Sequence, residues 1–415
     1  MRMVSTQQGR AQSELRAAVA EEVDALTDEL ISIRRDLHAH PEVGYAEHRT
    51  TAKIVQLLRA VGLDPVVLPV GTGAYCDVLP AGVADSKGLI GLRADIDALP
   101  IDDGKDVAYA SRNPGVCHAC GHDVHTTVVL GVGLALVRLR DRGLLRHGVR
   151  LIFQPAEEST PGGALSAIDG GALQGVREVY ALHCDPRTDV GHVGLKVGAV
   201  TSAADRVLIR LSGPGGHTSR PHLTADLVGA LGVLATSLPL LLSRRVDPRS
   251  GASLIWGRIR SGSASNAIPQ RGEIEGTLRS LDVSGWRAAE QLLPELATQL
   301  VAPFRVSIDV LVTPGVPPTV NHAEGVLRLT EAAEAVLGPT SVVPTEQSLG
   351  GEDFSWMLQK LPGAMARLGV RTPGAVEFAD IHQPTFTVDE RCIAVGAKLL
   401  LAVVTRAGVT PPPSP

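Results

Sequence analysis

Residues 117–158 read CHACGHDVHTTVVLGVGLALVRLRDRGLLRHGVRLIFQPAEE, and the succession of patterns in this stretch decides the fold. The apolar run from Val124 to Arg142 predicts a helix, with Asp123 as its N-cap and Gly143 just past its end. Val149 to Phe153 is an apolar run of strand length that Pro155 terminates, and the pair Glu157-Glu158 follows at once. Upstream, Val23, Leu26, Leu30, Ile33 and Leu37 recur at helical spacing and predict an amphipathic helix running up to Pro41. A second helix is expected over Glu47 to Ala60, stopped by Gly62, and strand-like runs over Gly73–Leu79, Leu89–Arg93 and Val179–Leu182. Strands alternating with helices predict an α/β layer around a largely buried sheet, and such sheets place their ligands at strand ends.

From about Ala203 the order changes. Strand-like Arg206–Leu211, helix-like Ala225–Leu242, strands Ala252–Arg260 and Arg271–Leu278, helix Gly285–Leu300 and strand Arg305–Leu311 give β-α-β-β-α-β, the split βαβ unit. Features of a catalytic kind resume at Gly350-Gly351-Glu352-Asp353 and Ile381-His382, so this unit reads as an insertion. The expected division is 14–202 and 314–408 for the interrupted domain, 203–313 for the insertion, and 409–415 for a loose proline-rich tail.

Composition narrows the partners. The 39 basic and 44 acidic residues leave a net charge of -5 without a long block of either sign, which argues against nucleic acid. Gln, Ser, Glu and Arg interrupt every candidate signal segment in the first 20 residues, and Val128–Val137, read as the longest apolar stretch, falls short of the roughly 20 residues of a membrane span. The five scattered cysteines fit a reducing cytoplasm better than a disulfide framework.

The chemistry sits in Cys120, His122, Glu157, Glu158, His183 and His382. A thiol, three imidazoles and a carboxylate on short segments between apolar runs supply ligands for two divalent cations. In an extended segment Cys120 and His122 share a face, and the thiolate is able to bridge two metals. Adjacent glutamates point apart, so one carboxylate can bind metal while the other serves as base. Bland readings stay open on these residues alone. Cys117-His118-Ala119-Cys120 is formally a C-x-x-C, the glutamates fit a solvated turn, and His38, His40, His118 and His125 share the ambiguity of any lone histidine. Gly213-Pro214-Gly215-Gly216-His217 permits close approach of backbone to a ligand, or is a flexible turn.

Several segments together resemble the metal-dependent amidohydrolases of the aminoacylase and carboxypeptidase superfamily. They are residues 34–42 (RRDLHAHPE), 92–100 (LRADIDALP), 118–123 (HACGHD), 153–158 (FQPAEE), 216–217 (GH), 266–269 (NAIP) and 350–355 (GGEDFS). The nearest branch holds hippurate hydrolases, N-acyl-amino-acid amidohydrolases and auxin-conjugate hydrolases. The resemblance implies a two-metal exopeptidase-like domain with a central mixed sheet and an inserted ferredoxin-like lid and dimerisation domain. It implies two metals, zinc first with manganese, cobalt or nickel as alternatives, on Cys120, His122, Glu158, His183 and His382, with Cys120 bridging. Glu157 matches the general base, Asp97 the aspartate orienting a ligand histidine, and His217 a histidine that polarises the scissile carbonyl in the partner subunit of a homodimer, a tetramer being the alternative. Asn266 and Arg279 match substrate contacts. The implied reaction is hydrolysis of N-acyl amino acids, a dipeptidase or carboxypeptidase being the alternative, and a metal sensor without catalysis the rival of another class. Cys117, Val124 and Cys184 depart from the family pattern.

Overall fold

The apolar run after Cys120 folds as the helix His122–Asp141, buried along nearly its whole circumference. Its two glycines are close-approach positions: a Cβ at Gly131 would stand 2.6 Å from Leu30 Cδ1, and one at Gly133 2.5 Å from Leu151 Cδ1. This helix packs against Thr27–Ala39 and the closing helix Arg391–Thr405. The structure, a computed structural model, describes residues 2–83 and 87–406; the expected tail at 409–415 lies outside the described residues. It divides into two units, one of Met1–Gly198, Asn321–Glu346 and Trp356–Pro415, the other of Ala199–Val320 and Gln347–Ser355.

The first unit holds an eight-stranded mixed sheet. Its order is Val66–Val67, Ala74–Val78, Val149–Gln154, Leu89–Asp95, Val176–Asp189, Gly363–Arg371, Val193–Leu195 and Val342–Pro344. The central strands Val149–Gln154, Leu89–Asp95, Val176–Asp189 and Gly363–Arg371 are parallel neighbours. They are buried at nearly every position because both faces are covered, and the polar residues they carry, Arg93, Asp95, Arg150 and Gln154 among them, are buried too. The N-terminal periodicity holds, since Val23, Leu26, Leu30, Ile33 and Leu37 are all buried, but two helices share them rather than one, with Leu26 at the junction. Arg2–Asp24 ends where the Leu26 amide donates to the Val23 carbonyl, and Thr27–Ala39 follows. The second expected helix runs His48–Ala60, leaving Glu47 outside it as a fully buried carboxylate.

The second unit is the split βαβ. Its four-stranded antiparallel sheet has the order Ser253–Ser261, Arg271–Arg279, Ala204–Ser212, Ser307–Val316, and the helices Leu227–Arg245 and Val283–Val301 pack on each other. Leu227–Arg245 corrects the expectation that no segment is long and apolar enough to span a membrane. It has 19 residues and a mean hydropathy of 1.6 over its best window, long and apolar enough to cross a membrane by length and composition. Leu227, Ala230, Leu231, Leu234, Leu238 and Leu242 are buried in the core of this unit, while Val228, Leu240 and Leu241 are exposed. The chain is thus an α/β protein with a βαββαβ insertion.

Candidate metal centre

The first unit brings five of the predicted side chains together. Ligand atoms of Cys120, His122 and Glu158 all lie within 4.8 Å of one another. Cys120 Sγ is 3.6 Å from His183 Nε2, and Glu158 Oε1 is 3.0 Å from His382 Nε2. Local backbone, not β alternation, produces the convergence. Gly121 adopts φ +89° between Cys120 and the first residue of the helix, so the expectation of an extended segment with a shared face is corrected. His382 also sits in the left-handed region, at φ +64°, and its amide donates to the Ala119 carbonyl.

Hydrogen bonds set the tautomers. His122 Nδ1 faces two oxygens of Asp97, the carbonyl at 2.9 Å and Oδ1 at 3.2 Å, so Nδ1 carries the proton and donates. His183 Nδ1 likewise donates to the Cys184 carbonyl at 2.8 Å. Both rings therefore turn Nε2 inward. Among the described residues His122 Nε2 is buried without a hydrogen-bond partner, yet Asp95 Oδ2 lies 3.8 Å away and Glu157 Oε2 and Glu158 Oε1 each lie 3.9 Å away. Burial lowers the His122 pKa, but Asp95 and the Cys120 sulfur outweigh it and hold the ring well above its usual value. Carboxylates crowded around one imidazole nitrogen and a buried thiol, whose own pKa burial pushes up, are groups a divalent cation would satisfy together. The donor set fits such a centre.

Asp97 joins the pieces. Besides meeting His122, its Oδ1 accepts the Glu157 amide and its Oδ2 the Glu158 amide, both at 3.0 Å. The two glutamates do not point apart as expected. Ala156 at φ +53° turns the chain so that both carboxylates reach the same His122 nitrogen. Glu47 Oε1 fixes that turn by accepting the Ala156 amide at 2.7 Å, and burial raises the Glu47 pKa. Nothing local in the sequence marks Glu47 for this task.

Two further buried networks surround the cluster. Asp123 does not cap the helix, since Gly121 holds that position; its carboxylate meets Arg34 Nε at 2.8 Å and His38 Nδ1 at 2.6 Å. Burial would raise the Asp123 pKa, but Arg34 and His38 prevail and hold it well below the carboxylate range. His125 Nδ1 donates to Asp95 Oδ1 at 2.6 Å, while His125 Nε2 accepts the Cys184 amide at 2.8 Å, next to His183. Arg93 Nη1 holds the other Asp95 oxygen at 2.7 Å. His118 is buried with neither ring nitrogen hydrogen-bonded, and burial pushes its pKa down to about 3, so it is neutral. Cys117 and Cys120 are unlinked, and burial raises the Cys117 pKa.

The remaining candidates belong to the second unit. His217 is not on a flexible turn, because Gly216–His217 pairs antiparallel with Ala267–Ile268. Its Nδ1 accepts the Ser219 amide at 3.1 Å, which places the ring proton on Nε2. It lines a cavity of about 500 Å³ with Gly215, Gly216, Ser219, Arg220, Leu223 and Thr224. Asn266 is exposed and its carbonyl accepts the Thr218 amide. Arg279 Nη1 donates to the Leu349 carbonyl and to Ser202 Oγ.

The model of peptidase family M20/M25/M40 matches residues 91–406. N-acetyl-L-cysteine deacetylase of Bacillus subtilis is 38% identical over 371 residues, which cover 89% of this chain and 86% of that protein. A Rhodococcus jostii protein named as a candidate glutamate–cysteine ligase is 46% identical over 374 residues; these cover 90% of this chain but only 46% of the relative, so that name describes a much longer protein. Among solved structures, a dinuclear metal-binding M20 peptidase of Bacillus subtilis superposes with a TM-score of 0.78 at 31% identity, covering 92% of this chain and 98% of that one.

Proposed function

This chain belongs to peptidase family M20/M25/M40, and from that premise we propose that it hydrolyses the amide bond of N-acyl amino acids or similar small conjugates. The observation that carries the reading is the gathering of Cys120, His122, Glu158, His183 and His382 beside the Glu157 carboxylate. Those five residues would hold two divalent cations, with Cys120 between the His122 and His183 sides. Thiolate and imidazole favour zinc over manganese, cobalt or nickel. When bound, such cations would supply Lewis acidity and lower the pKa of water from about 15.7 towards about 7.

The protein's own groups do the rest. Glu157, its side chain only 11% exposed, takes the proton of the attacking water and returns it to the leaving amine. Asp97 keeps the His122 ring and both glutamate amides in register. His217, protonated at Nε2, donates to the scissile carbonyl in the partner subunit of a homodimer, a contribution typically worth about 2.7 to 4 kcal/mol. Asn266 and Arg279 line the substrate wall, with one guanidinium nitrogen of Arg279 engaged by Leu349. Unlinked, buried cysteines support a reducing cytoplasm.

Hydrolysis of a peptide bond, as a dipeptidase or carboxypeptidase, is the second reading, supported by the family's description and by the solved B. subtilis peptidase. Metal-loaded protein incubated with a panel of N-acyl amino acids and dipeptides, with released amine as readout, separates the two. Turnover of the acyl series is expected. Preference for dipeptides selects the second reading, and no turnover of any member at full metal occupancy overturns both in favour of a metal sensor.

A further inference from the structure

At the start of strand Val176–Asp189, which carries His183 further along, the first unit holds a second polar cluster that the hydrolytic chemistry does not use. Glu178 is buried and accepts a hydrogen bond from the buried Tyr180 hydroxyl at 2.9 Å. Arg177 Nε donates to Glu178 Oε1 at 3.2 Å, Arg328 Nη1 donates to Oε2, and Arg406 Nη2 lies 3.9 Å from Oε1. These groups, with Glu324 and Gly363, border an open cavity of about 180 Å³.

One carboxylate does not need three guanidiniums. A carboxylate offers roughly four acceptor sites, one of them already taken by Tyr180, whereas three guanidiniums carry fifteen N–H donors. Among the described residues, Arg406 Nε is buried with no hydrogen-bond partner. The charges are unbalanced too: Arg177, Arg328 and Arg406 face Glu178 and Glu324, with His147 close enough to feel them. Burial and then the neighbouring arginines Arg177 and Arg328 lower the Arg406 pKa, and burial and then Arg406 and Arg177 lower that of His147. Arg406 is held in this crowd by φ +57° at the end of the helix Arg391–Thr405, and Arg328 by the helix Ala323–Leu337. Surplus donors, an orphaned buried N–H and a cavity beside them describe a receptor for a compact anion.

We propose that Arg177, Arg328 and Arg406 form a binding site for a phosphate group, separate from the metal ligands. A carboxylate is served by a single planar fork, and three converging guanidiniums match the several oxygens of phosphate better. Isothermal titration of the metal-loaded full chain with inorganic phosphate, at constant ionic strength, reads the site. Uptake at the metal centre is common to wild type and variants and drops out of their difference. Arg406→Gln and, separately, the exposed Arg177→Gln are expected to weaken the site roughly tenfold, while Arg210→Gln in the second unit, which removes the same charge elsewhere, leaves it unchanged. Benzyl phosphate titrated in parallel identifies the source: equal binding indicates a phosphoryl group on an organic molecule, and binding of inorganic phosphate alone indicates the free ion. Equal phosphate affinity in wild type, Arg406→Gln and Arg177→Gln, or no phosphate uptake at all, overturns the proposal. Acetate binding as tightly as phosphate, with the same dependence on Arg406, overturns the choice of anion.

Discussion

His122 and His125 stand one turn apart on the same helix, both buried, and each presents Nδ1 to an aspartate, Asp97 in one case and Asp95 in the other. They differ at the second nitrogen. His125 Nε2 accepts a backbone amide, whereas His122 Nε2 has no hydrogen-bond partner and three carboxylates within 4 Å. Residue type, burial and the first partner are alike, so the group met by the far nitrogen separates the ligand proposed at His122 from a brace. His125 steadies Cys184, and through it the strand position of His183.

The comparison breaks most visibly if the two histidines are exchanged in importance. His122→Ala is expected to lower metal content below one ion per chain and to abolish turnover, by elemental analysis and amine release. Among the glutamates the same logic divides base from ligand. Glu157→Gln should cost about 10² to 10⁴ in kcat with metal retained, and Glu158→Gln should lose metal as well. Equal metal loss in the two glutamine variants would contradict the assigned roles.

Smaller effects sharpen the contrast. Asp97→Asn leaves every ligand in place but weakens the orientation of His122, so a loss of about 10- to 100-fold in metal affinity is expected from competition with a chelator. His125→Gln keeps an acceptor for the Cys184 amide and loses the bond to Asp95. It should destabilise the fold by about 1 to 3 kcal/mol, seen in denaturant unfolding, while binding its full complement of metal at saturation. Metal stoichiometry falling as far as in His122→Ala would remove the distinction between the two rings.

Much of this was legible in the sequence, and for identifiable reasons. Apolar runs such as Val149–Phe153 announce buried strands, and the order β-α-β-β-α-β survives because each period is local. The ligand candidates were legible as residue types at the ends of those runs. Their geometry was not. The turn at Gly121, the positive φ of Ala156 and His382, and the reach of Glu47 to the Ala156 amide depend on long-range contacts that no local period encodes. Asp123 shows the cost of a local rule: its type and position suggest an N-cap, yet the packing of Arg34 and His38 against it claims its carboxylate.

The mildest test concerns a third histidine, His38, which is buried between Asp123 at Nδ1 and Asp103, 3.6 Å away, at Nε2. Asp103 also accepts from the Ser111 and Lys105 amides and pairs with Lys105 Nζ at 2.8 Å. Burial alone would raise its pKa, but the contacts with His38, Lys105 and Ser111 outweigh burial and leave it depressed. A carboxyl with a depressed folded-state pKa adds stability above its unfolded value of about 3.9, and that stability disappears as pH falls through the folded value. Asp103→Asn should therefore melt below wild type at pH 6, with the gap narrowing steadily as the pH is lowered through 4 towards 3 in calorimetric scans. A gap that stays constant over that range would mean Asp103 acts through its hydrogen-bond geometry and not its charge, and its contact with His38 would then serve, like those of His125, to brace the fold.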